Sequence, residues 1–369
     1  MGISAARDLE EVRLGFTRWL QAWRPLAPAP RLAPIDQPPT GLSSETLLLE
    51  VDWSDGAASA GGGGTPEHLV ARLPPNGDGL FPVYDFAAQG RVQEIVASAG
   101  LPAVVPLAVE LDETWVGAPF LLMPRVDGRV VRADKPFLRT GWLAEATADD
   151  QALLHGRFLD LLAGIHRIPG AGGCDFLPGG SVPPTDGTRS TETPPTDGNL
   201  AGEVDRWARY LSWAAGDDVP EVFAHALAWC RTRLPDRQPP ASLLWGDVQL
   251  GNVLVDDDMT IAAVLDFEMA SVGPAELDLA WFLVLHRMTV ERCGCDLPGF
   301  PGTDATVEAY ERRLGRPLAD LRWFEVFAAL RSGAIMVRAA RLLSRLGVDD
   351  SWLTRGNPTV TLLAELTAG

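Results

Sequence analysis

Positive charge is scarce in this chain. Of its 369 residues, 31 are Lys or Arg and 49 are Asp or Glu, and Lys135 is the single lysine. The formal net charge of −18 argues against binding to nucleic acid or to an anionic membrane surface, because both need clustered Lys and Arg. A cationic partner is compatible with this charge, although many proteins are simply acidic.

Cysteine and long apolar runs are also scarce. The four cysteines include the close pair Cys293 and Cys295, which is spaced too tightly for an ordinary zinc half-site and lacks a second pair downstream. We therefore expect reduced structural thiols. No apolar run approaches the roughly 20 residues that a transmembrane helix needs, and charges begin at Arg7, which is not typical of a signal peptide. These features predict a cytoplasmic protein with no membrane partner.

Proline and glycine are plentiful, and they separate the predicted helices and strands. Apolar residues at helical spacing predict an amphipathic helix at 8–23, and a Pro-rich segment follows at 25–39. Further on, the spacing predicts one helical region at 200–234. Segments 52–67 and 170–199 are polar or rich in Gly and Pro, so we expect surface excursions there. The length of the chain suits two lobes or domains.

The most informative stretch is 243–282. Asp247 follows a short apolar run and a glycine, and Asn252 stands five residues later, where an aliphatic run begins. A polar turn at 256–259 separates that run from a second one, which ends at Asp266. If the stretch folds as a hairpin, Asp247, Asn252 and Asp266 lie at the same open end.

Two carboxylates and an amide in this arrangement suit phosphoryl transfer. Asn252 and Asp266 offer the oxygen ligands that Mg²⁺ prefers, which leaves its other positions to water and phosphate oxygens. Asp247 can accept a proton from an attacking hydroxyl. Kinases use a base Asp, a metal-binding Asn and a metal-binding Asp in this order. The alternative is a surface hairpin with an acidic turn and no catalytic role.

The stretch resembles the aminoglycoside phosphotransferase family, which comprises small-molecule relatives of protein kinases. The family motif is His-Gly-Asp, then Asn, then Asp-Phe or Asp-Trp-Glu, then Gly and Asp-Leu-Ala. This chain has Trp245-Gly246-Asp247, Asn252, Asp266-Phe267-Glu268, Gly273 and Asp278-Leu279-Ala280. Trp245 therefore stands where His is usual. The resemblance implies that Asp247 is the catalytic base, that Asn252 and Asp266 bind Mg²⁺, and that Asp278 braces the catalytic loop.

The resemblance also implies a site for ATP phosphates. Arg72 ends an expected strand and takes the position of the Lys that pairs with the α and β phosphates. Gln89 takes the position of the Glu that orients this Lys, and the turn at Ser43 and Ser44 lies over the phosphates. The alternatives are an exposed strand-end arginine and an ordinary turn.

Adenine and acceptor sites follow from the same resemblance. The backbone after Met123 meets the adenine, and Arg125 or Val126 supplies the donor, because the intervening proline lacks an N–H. A plain core strand is the alternative at this position. The helices after the metal-binding Asp build the acceptor pocket in this family. Candidate pocket residues are Trp281, Asp296, Glu325 and Arg331.

We therefore expect an α+β, bilobal, protein-kinase-like fold. Residues 1–35 form a helix and linker, 36–123 a small β-rich lobe, and 124–369 a larger helical lobe with the catalytic hairpin. The expected function is transfer of the ATP γ-phosphate, with Mg²⁺, to a hydroxyl of an aminoglycoside or another small alcohol. The alternative is a catalytically silent kinase-like fold that binds a nucleotide, ligand or partner, which the Arg72 and Gln89 departures favour. The sequence predicts neither the identity of the acceptor nor the oligomeric state.

Overall fold

The computed structural model describes residues 7–38, 43–53, 66–131, 137–169, 173–180, 199–345, 347 and 357–368. The chain divides into two compact units. The first comprises the described parts of Met1–Glu94, Val104–Val126 and Arg345–Gly347, and the second those of Ile95–Ala103, Asp127–Ser344 and Val348–Gly369.

The first unit contains a five-stranded antiparallel sheet. Its strands, in spatial order, are β1 (Arg31–Leu32), β2 (Glu45–Asp52), β3 (Glu67–Leu73), β5 (Phe120–Pro124) and β4 (Ala108–Glu110). The N-terminal helix α1 (Leu9–Trp23) packs on this sheet, with Phe16 and Trp19 of α1 against Phe120 at ring-centroid distances of 4.9 and 5.0 Å. The predicted N-terminal helix therefore contributes to the core of the first unit and is not a separate segment.

A carboxylate begins this helix. Asp8 accepts hydrogen bonds from the backbone N–H groups of Glu10 and Glu11, which have no partner inside the helix. The second helix, α2 (Phe86–Ser98), buries Val92 and Val96. The boundary between the two units falls within α2, after Glu94.

The second unit holds most of the helices and two small sheets. β7 (Ala241–Leu244) pairs with β10 (Ser271–Pro274), and β8 (Val253–Val255) lies between β6 (Arg129–Val130) and β9 (Ile261–Val264). The helices are α3 (Trp142–Glu145), α4 (Ala148–His166), α5 (Leu200–Ala215), α6 (Glu221–Thr232), α7 (Glu276–Cys293), α8 (Thr303–Leu314), α9 (Arg322–Arg345) and α10 (Pro358–Thr367). This mixture confirms the predicted α+β class. None of these described helices is long and apolar enough to cross a bilayer.

One local expectation needs correction. The helical region predicted at 200–234 consists of two helices, because Gly216 ends α5 with a φ of 61° and Pro220 stands at the N-cap of α6. The apolar run before Gly246 forms β7, which pairs with β10. Most of the excursions expected at 52–67 and 170–199 lie outside the described residues.

Candidate active site

The turn between β7 and Asp247 requires glycine. Gly246 has a φ of 91°, and a Cβ there would lie 2.1 Å from the carbonyl oxygen of Met269. The turn is held by Asp278, which is fully buried in α7. Its two carboxylate oxygens accept hydrogen bonds from the N–H of Trp245 at 2.8 Å and of Gly246 at 3.1 Å. These are the contacts that the predicted bracing role of Asp278 requires.

A buried polar chain lies behind this brace. Nε2 of His166, at the end of α4, is 3.0 Å from Oδ2 of Asp278, and Nδ1 contacts the hydroxyl of Tyr310 from α8. Burial raises the pKa of Tyr310 above its usual value, so this hydroxyl stays protonated. Tyr310 was missed from the sequence, because only the packing of α4 against α8 brings the two rings together.

The carboxylate of Asp247 is held by three donors. Oδ2 accepts hydrogen bonds from Nε2 of Gln249 at 2.6 Å and Nδ2 of Asn252 at 2.8 Å, and Oδ1 accepts one from Nε1 of Trp281 at 3.1 Å. Gln249 was not predicted, although its position two residues after the base is a local signal. A carboxylate has about four lone-pair sites, so this one can still receive a substrate hydroxyl.

Two effects raise the pKa of Asp247 to about 6. The larger is burial, which disfavours the charged form, and the next is the negative charge of Asp266. The hydrogen bonds from Gln249, Asn252 and Trp281 act in the opposite direction. The result is a carboxylate whose pKa lies near neutral pH, where a general base works best.

Asn252 and Asp266 lie at the same end of the β8–β9 hairpin, as the sequence predicted. The N–H of Leu265 donates to the carbonyl oxygen of Asn252 at 2.9 Å, and Asp266 follows with a φ of 63°. Because Asn252 donates to Asp247 through Nδ2, its Oδ1 is the atom that can face a cation.

The donor set around the hairpin end suits a hard cation. In the part of the chain that the structure describes, no group of three or more His, Cys, Asp and Glu could hold a metal ion. One carboxylate and one amide oxygen instead suit an ion such as Mg²⁺, which keeps several water and phosphate ligands. The residues present therefore fit the predicted metal.

The four acceptor candidates do not lie together. Trp281 binds Asp247 directly, and the guanidinium of Arg331 lies over the Trp281 ring at 4.7 Å from its centroid. Asp296 is paired with His286, whose Nε2 lies 3.1 Å from its Oδ2. Glu325 lines a groove of about 450 Å³ between α8 and the start of α9, which none of the other three lines. Of these four candidates, Trp281 and Arg331 are the ones with a described hydrogen bond to Asp247 or Gly246.

The phosphate candidates belong to the first unit. Arg72 lies near the end of β3, opposite Thr46 of β2. Gln89 is half-buried in α2, and Ser43 and Ser44 are buried just before β2. Their roles toward ATP stay predictions.

The adenine candidates also lie in this unit. Met123 is 7 % exposed in β5. The N–H of Arg125 donates to the carbonyl oxygen of His68 at 3.0 Å, as a continuation of the sheet. The backbone N–H of Arg125 is therefore already hydrogen-bonded within the sheet. The N–H of Val126 is the remaining candidate donor to the adenine.

The fold and this loop define a kinase-like phosphotransferase. Residues 48–327 match the model of the Phosphotransferase enzyme family, and the chain belongs to this family. A solved Ralstonia eutropha JMP134 protein, provisionally assigned as an aminoglycoside phosphotransferase, superposes with a TM-score of 0.64 at 18 % identity, with 95 % of this chain and 98 % of that one covered. Aminoglycoside phosphotransferase APH(4)-Ia, solved as a thermostable mutant with AMP-PNP and hygromycin B, gives a TM-score of 0.58 at 16 % identity, with coverage of 96 % and 99 %. These likenesses confirm the predicted kinase-like fold.

Curated relatives are longer than this chain. Human acyl-CoA dehydrogenase family member 11 is 25 % identical over 223 residues, which cover 59 % of this chain and 25 % of the relative. The mouse protein is 22 % identical over 317 residues, which cover 82 % of this chain and 37 % of the relative. The matched part of the chain thus spans 25 % to 37 % of the length of these relatives.

Proposed function

We propose that the protein transfers the γ-phosphate of ATP to a hydroxyl of a small molecule. The observation that carries this proposal is the carboxylate of Asp247, held by three donors and with a pKa of about 6, beside the oxygen donors of Asn252 and Asp266. Further support comes from similar folds solved with AMP-PNP and with ADP.

Each residue of the site has a distinct part in this reaction. Asp247 orients the acceptor hydroxyl and takes its proton, and Trp281 and Gln249 hold the carboxylate in place. Asn252 and Asp266 would hold Mg²⁺, which when bound neutralises charge on the β and γ phosphates. The rate enhancement then comes from positioning and charge neutralisation.

The nucleotide is bound by the first unit in this proposal. Arg72 neutralises the α and β phosphates, with Gln89 as its orienting partner. Ser43 and Ser44 cover the phosphates. The backbone N–H of Val126, three residues after Met123, binds the adenine.

A catalytically silent fold that binds a nucleotide, ligand or partner is the second candidate. One observation favours it: Arg72 and Gln89 replace the usual Lys and Glu, and Gln can form a hydrogen bond but no ion pair. Against it stands the complete set of base, amide and second carboxylate, for which a silent fold has no use.

Calorimetric titration with ATP, with and without Mg²⁺, separates the two candidates. The enzyme proposal expects binding that strengthens with Mg²⁺, followed by ADP release when a suitable hydroxyl compound is supplied. No binding at millimolar ATP would overturn it and favour a partner-binding role. Metal-independent binding with no ADP release across a broad panel of alcohols would also favour the silent fold.

A further inference from the structure

Arg331 is a buried cation beside the base. It lies in α9 with 2 % of its surface exposed. Its guanidinium is placed between two indoles, 4.9 Å from the ring centroid of Trp207 and 4.7 Å from that of Trp281. Stacking of this kind suits Arg and leaves the edge of the guanidinium free to donate hydrogen bonds.

At least one N–H donor of Arg331 has no hydrogen-bond partner among the described residues. One nitrogen lies 3.4 Å from the carbonyl oxygen of Gly246, and buried Nε has no hydrogen-bond partner within the described parts of the chain. A guanidinium has five N–H donors. Burying such a charge is costly unless it is paired and hydrogen-bonded, and burial accordingly lowers the pKa of Arg331 to about 10.

Neighbouring carboxylates do not provide the missing partner. Glu203 accepts hydrogen bonds from Arg206 and from the indole of Trp207. Asp278 accepts the two backbone N–H groups of the catalytic turn. Asp247 is held by its own three donors, as described above. Their charges partly stabilise the cation, but none of them has a hydrogen bond to Arg331 among the described residues.

The location of Arg331 connects it to the reaction. The carbonyl that it contacts belongs to Gly246, next to the base, and the indole on which it stacks donates to the base itself. A group of the acceptor that reached the Arg331 edge would therefore stand close to the hydroxyl that Asp247 activates.

We propose that Arg331 forms a subsite for an anionic group of the acceptor, a carboxylate or a phosphate, so that the acceptor is a hydroxylated anion. This inference rests on the proposed function, since it names the substrate class of the same site. Arg binds carboxylate and phosphate oxygens through two parallel N–H donors, which would satisfy the unpaired nitrogen. The same buried charge disfavours a polycationic acceptor at this position.

The test uses four three-carbon alcohols that differ in charge: glycerol, 2-aminopropane-1,3-diol, glycerate and glycerol 3-phosphate. Binding is followed by calorimetry with and without Mg·ADP, in the native protein, in Arg331→Met and in Arg338→Met. Arg338 is a matched control, because it is also buried in α9 and stacks on an indole, that of Trp213, at 4.2 Å. We expect the two anions to bind the native protein and Arg338→Met, and to lose at least tenfold in affinity for Arg331→Met.

Thermal unfolding distinguishes a ligand subsite from a structural role. Burial outweighs the stabilisation that Arg331 receives from Glu203, Asp278 and Asp247, since its pKa is lowered overall, so an apolar side chain in its place should not destabilise the fold. We therefore expect Arg331→Met to unfold at the same temperature as the native protein or higher. A clear fall in its Tm, together with unchanged anion affinity, would assign Arg331 to the structure alone and overturn the proposal.

Arg331→Lys covers the case in which the Met variant does not fold. It keeps the charge but loses the planar fork, so we expect several-fold weaker anion binding and unchanged glycerol binding.

Equal affinity of the native protein for all four probes, or tight binding of inorganic phosphate that glycerate does not displace, would refute an acceptor subsite. Anion binding at Arg331 without ADP release would contradict only the proposed function. Transfer to glycerol or the amine with no preference for anions would contradict only this inference.

Discussion

The indole Nε1 of Trp245 donates to the carbonyl oxygen of Leu265 at 2.8 Å. Leu265 directly precedes Asp266, so this hydrogen bond joins the catalytic loop to the end of the strand that carries the metal candidate. The ring is fully buried and packs against Phe158 and Phe267 at centroid distances of 5.9 and 6.4 Å. Trp in place of the usual His thus retains an N–H donor and adds apolar contact area.

Trp245→Phe should remove this donor and keep most of the packing. We expect a loss of about 1 kcal/mol in the free energy of unfolding, the usual net value of one hydrogen bond, and weaker Mg·ATP binding because Asp266 is less well placed. Denaturant titration and calorimetry measure the two effects. Trp323→Phe is the control, since its indole also donates to a backbone carbonyl, that of Cys230, at 3.0 Å. Equal loss of Mg·ATP affinity in both variants would show that Trp245 has no specific role.

Asp247→Asn should abolish most of the phosphoryl transfer. Asn cannot accept the proton of the attacking hydroxyl, and general-base catalysis contributes about 10²- to 10⁴-fold to a rate. Nucleotide affinity should stay within about twofold, because the first unit and the metal pair are unchanged. Asp266→Ala is the contrasting variant and should weaken Mg·ATP binding itself. Steady-state kinetics and calorimetry provide the comparison, and a full transfer rate in Asp247→Asn would show that the base is misassigned.

Asp278→Asn should destabilise the fold and slow the reaction together. The amide would present an NH₂ group to the N–H of Trp245 or Gly246, leaving a buried donor without an acceptor, which costs about 1–3 kcal/mol or more. Asp160→Asn is the control, because Asp160 forms an exposed ion pair with Arg313, and such pairs contribute about 0–1 kcal/mol. Denaturant unfolding measures both variants. If Asp278→Asn lowers the free energy of unfolding no more than Asp160→Asn does, Asp278 does not brace the turn.

The stability that neutral His155 contributes should be lost between pH 6.5 and 4. Its pKa is lowered from 6.5 to about 4, chiefly by burial and then by the charges of His286 and Arg313, which Asp296 partly offsets. In this window the unfolded chain binds a proton that the folded chain excludes. The contribution of neutral His155 is therefore complete above pH 6.5 and is lost progressively down to pH 4, by about 3 kcal/mol in total at 1.36 kcal/mol per pH unit.

His155→Gln should remove this contribution, since the side chain no longer titrates, and leave the opposite one of Asp247, whose raised pKa makes the folded chain more stable as the pH falls below about 6. Unfolding free energies measured from pH 4 to 7.5 test it, with the exposed His225→Gln as the control that leaves the slope unchanged. The prediction is wrong if the native protein and His155→Gln show the same slope.

Local sequence predicted the elements better than the contacts between them. Asp247, Asn252 and Asp266 could be placed together because a hairpin connects them within a few residues. Gly216 and Pro220, by contrast, are helix breakers that the sequence shows, yet the apolar periodicity on both sides of them predicts one helix. The hydrogen bond from Gln249 to Asp247 is local as well. A single Gln in a polar loop, however, has no sequence pattern that predicts such a contact.

The sequence by itself determined that Asp247, Asn252 and Asp266 come together, because short-range turns and strand pairing hold all three. Only the tertiary structure decided what surrounds that set. Tyr310 reaches His166 across 144 residues and Arg331 reaches Gly246 across 85, through packing between helices. Such contacts depend on how helix surfaces fit one another in three dimensions, which the periodicity of each helix alone does not encode. The proposed catalytic residues are therefore readable from one hairpin, and the buried Arg331 beside them only from the fold.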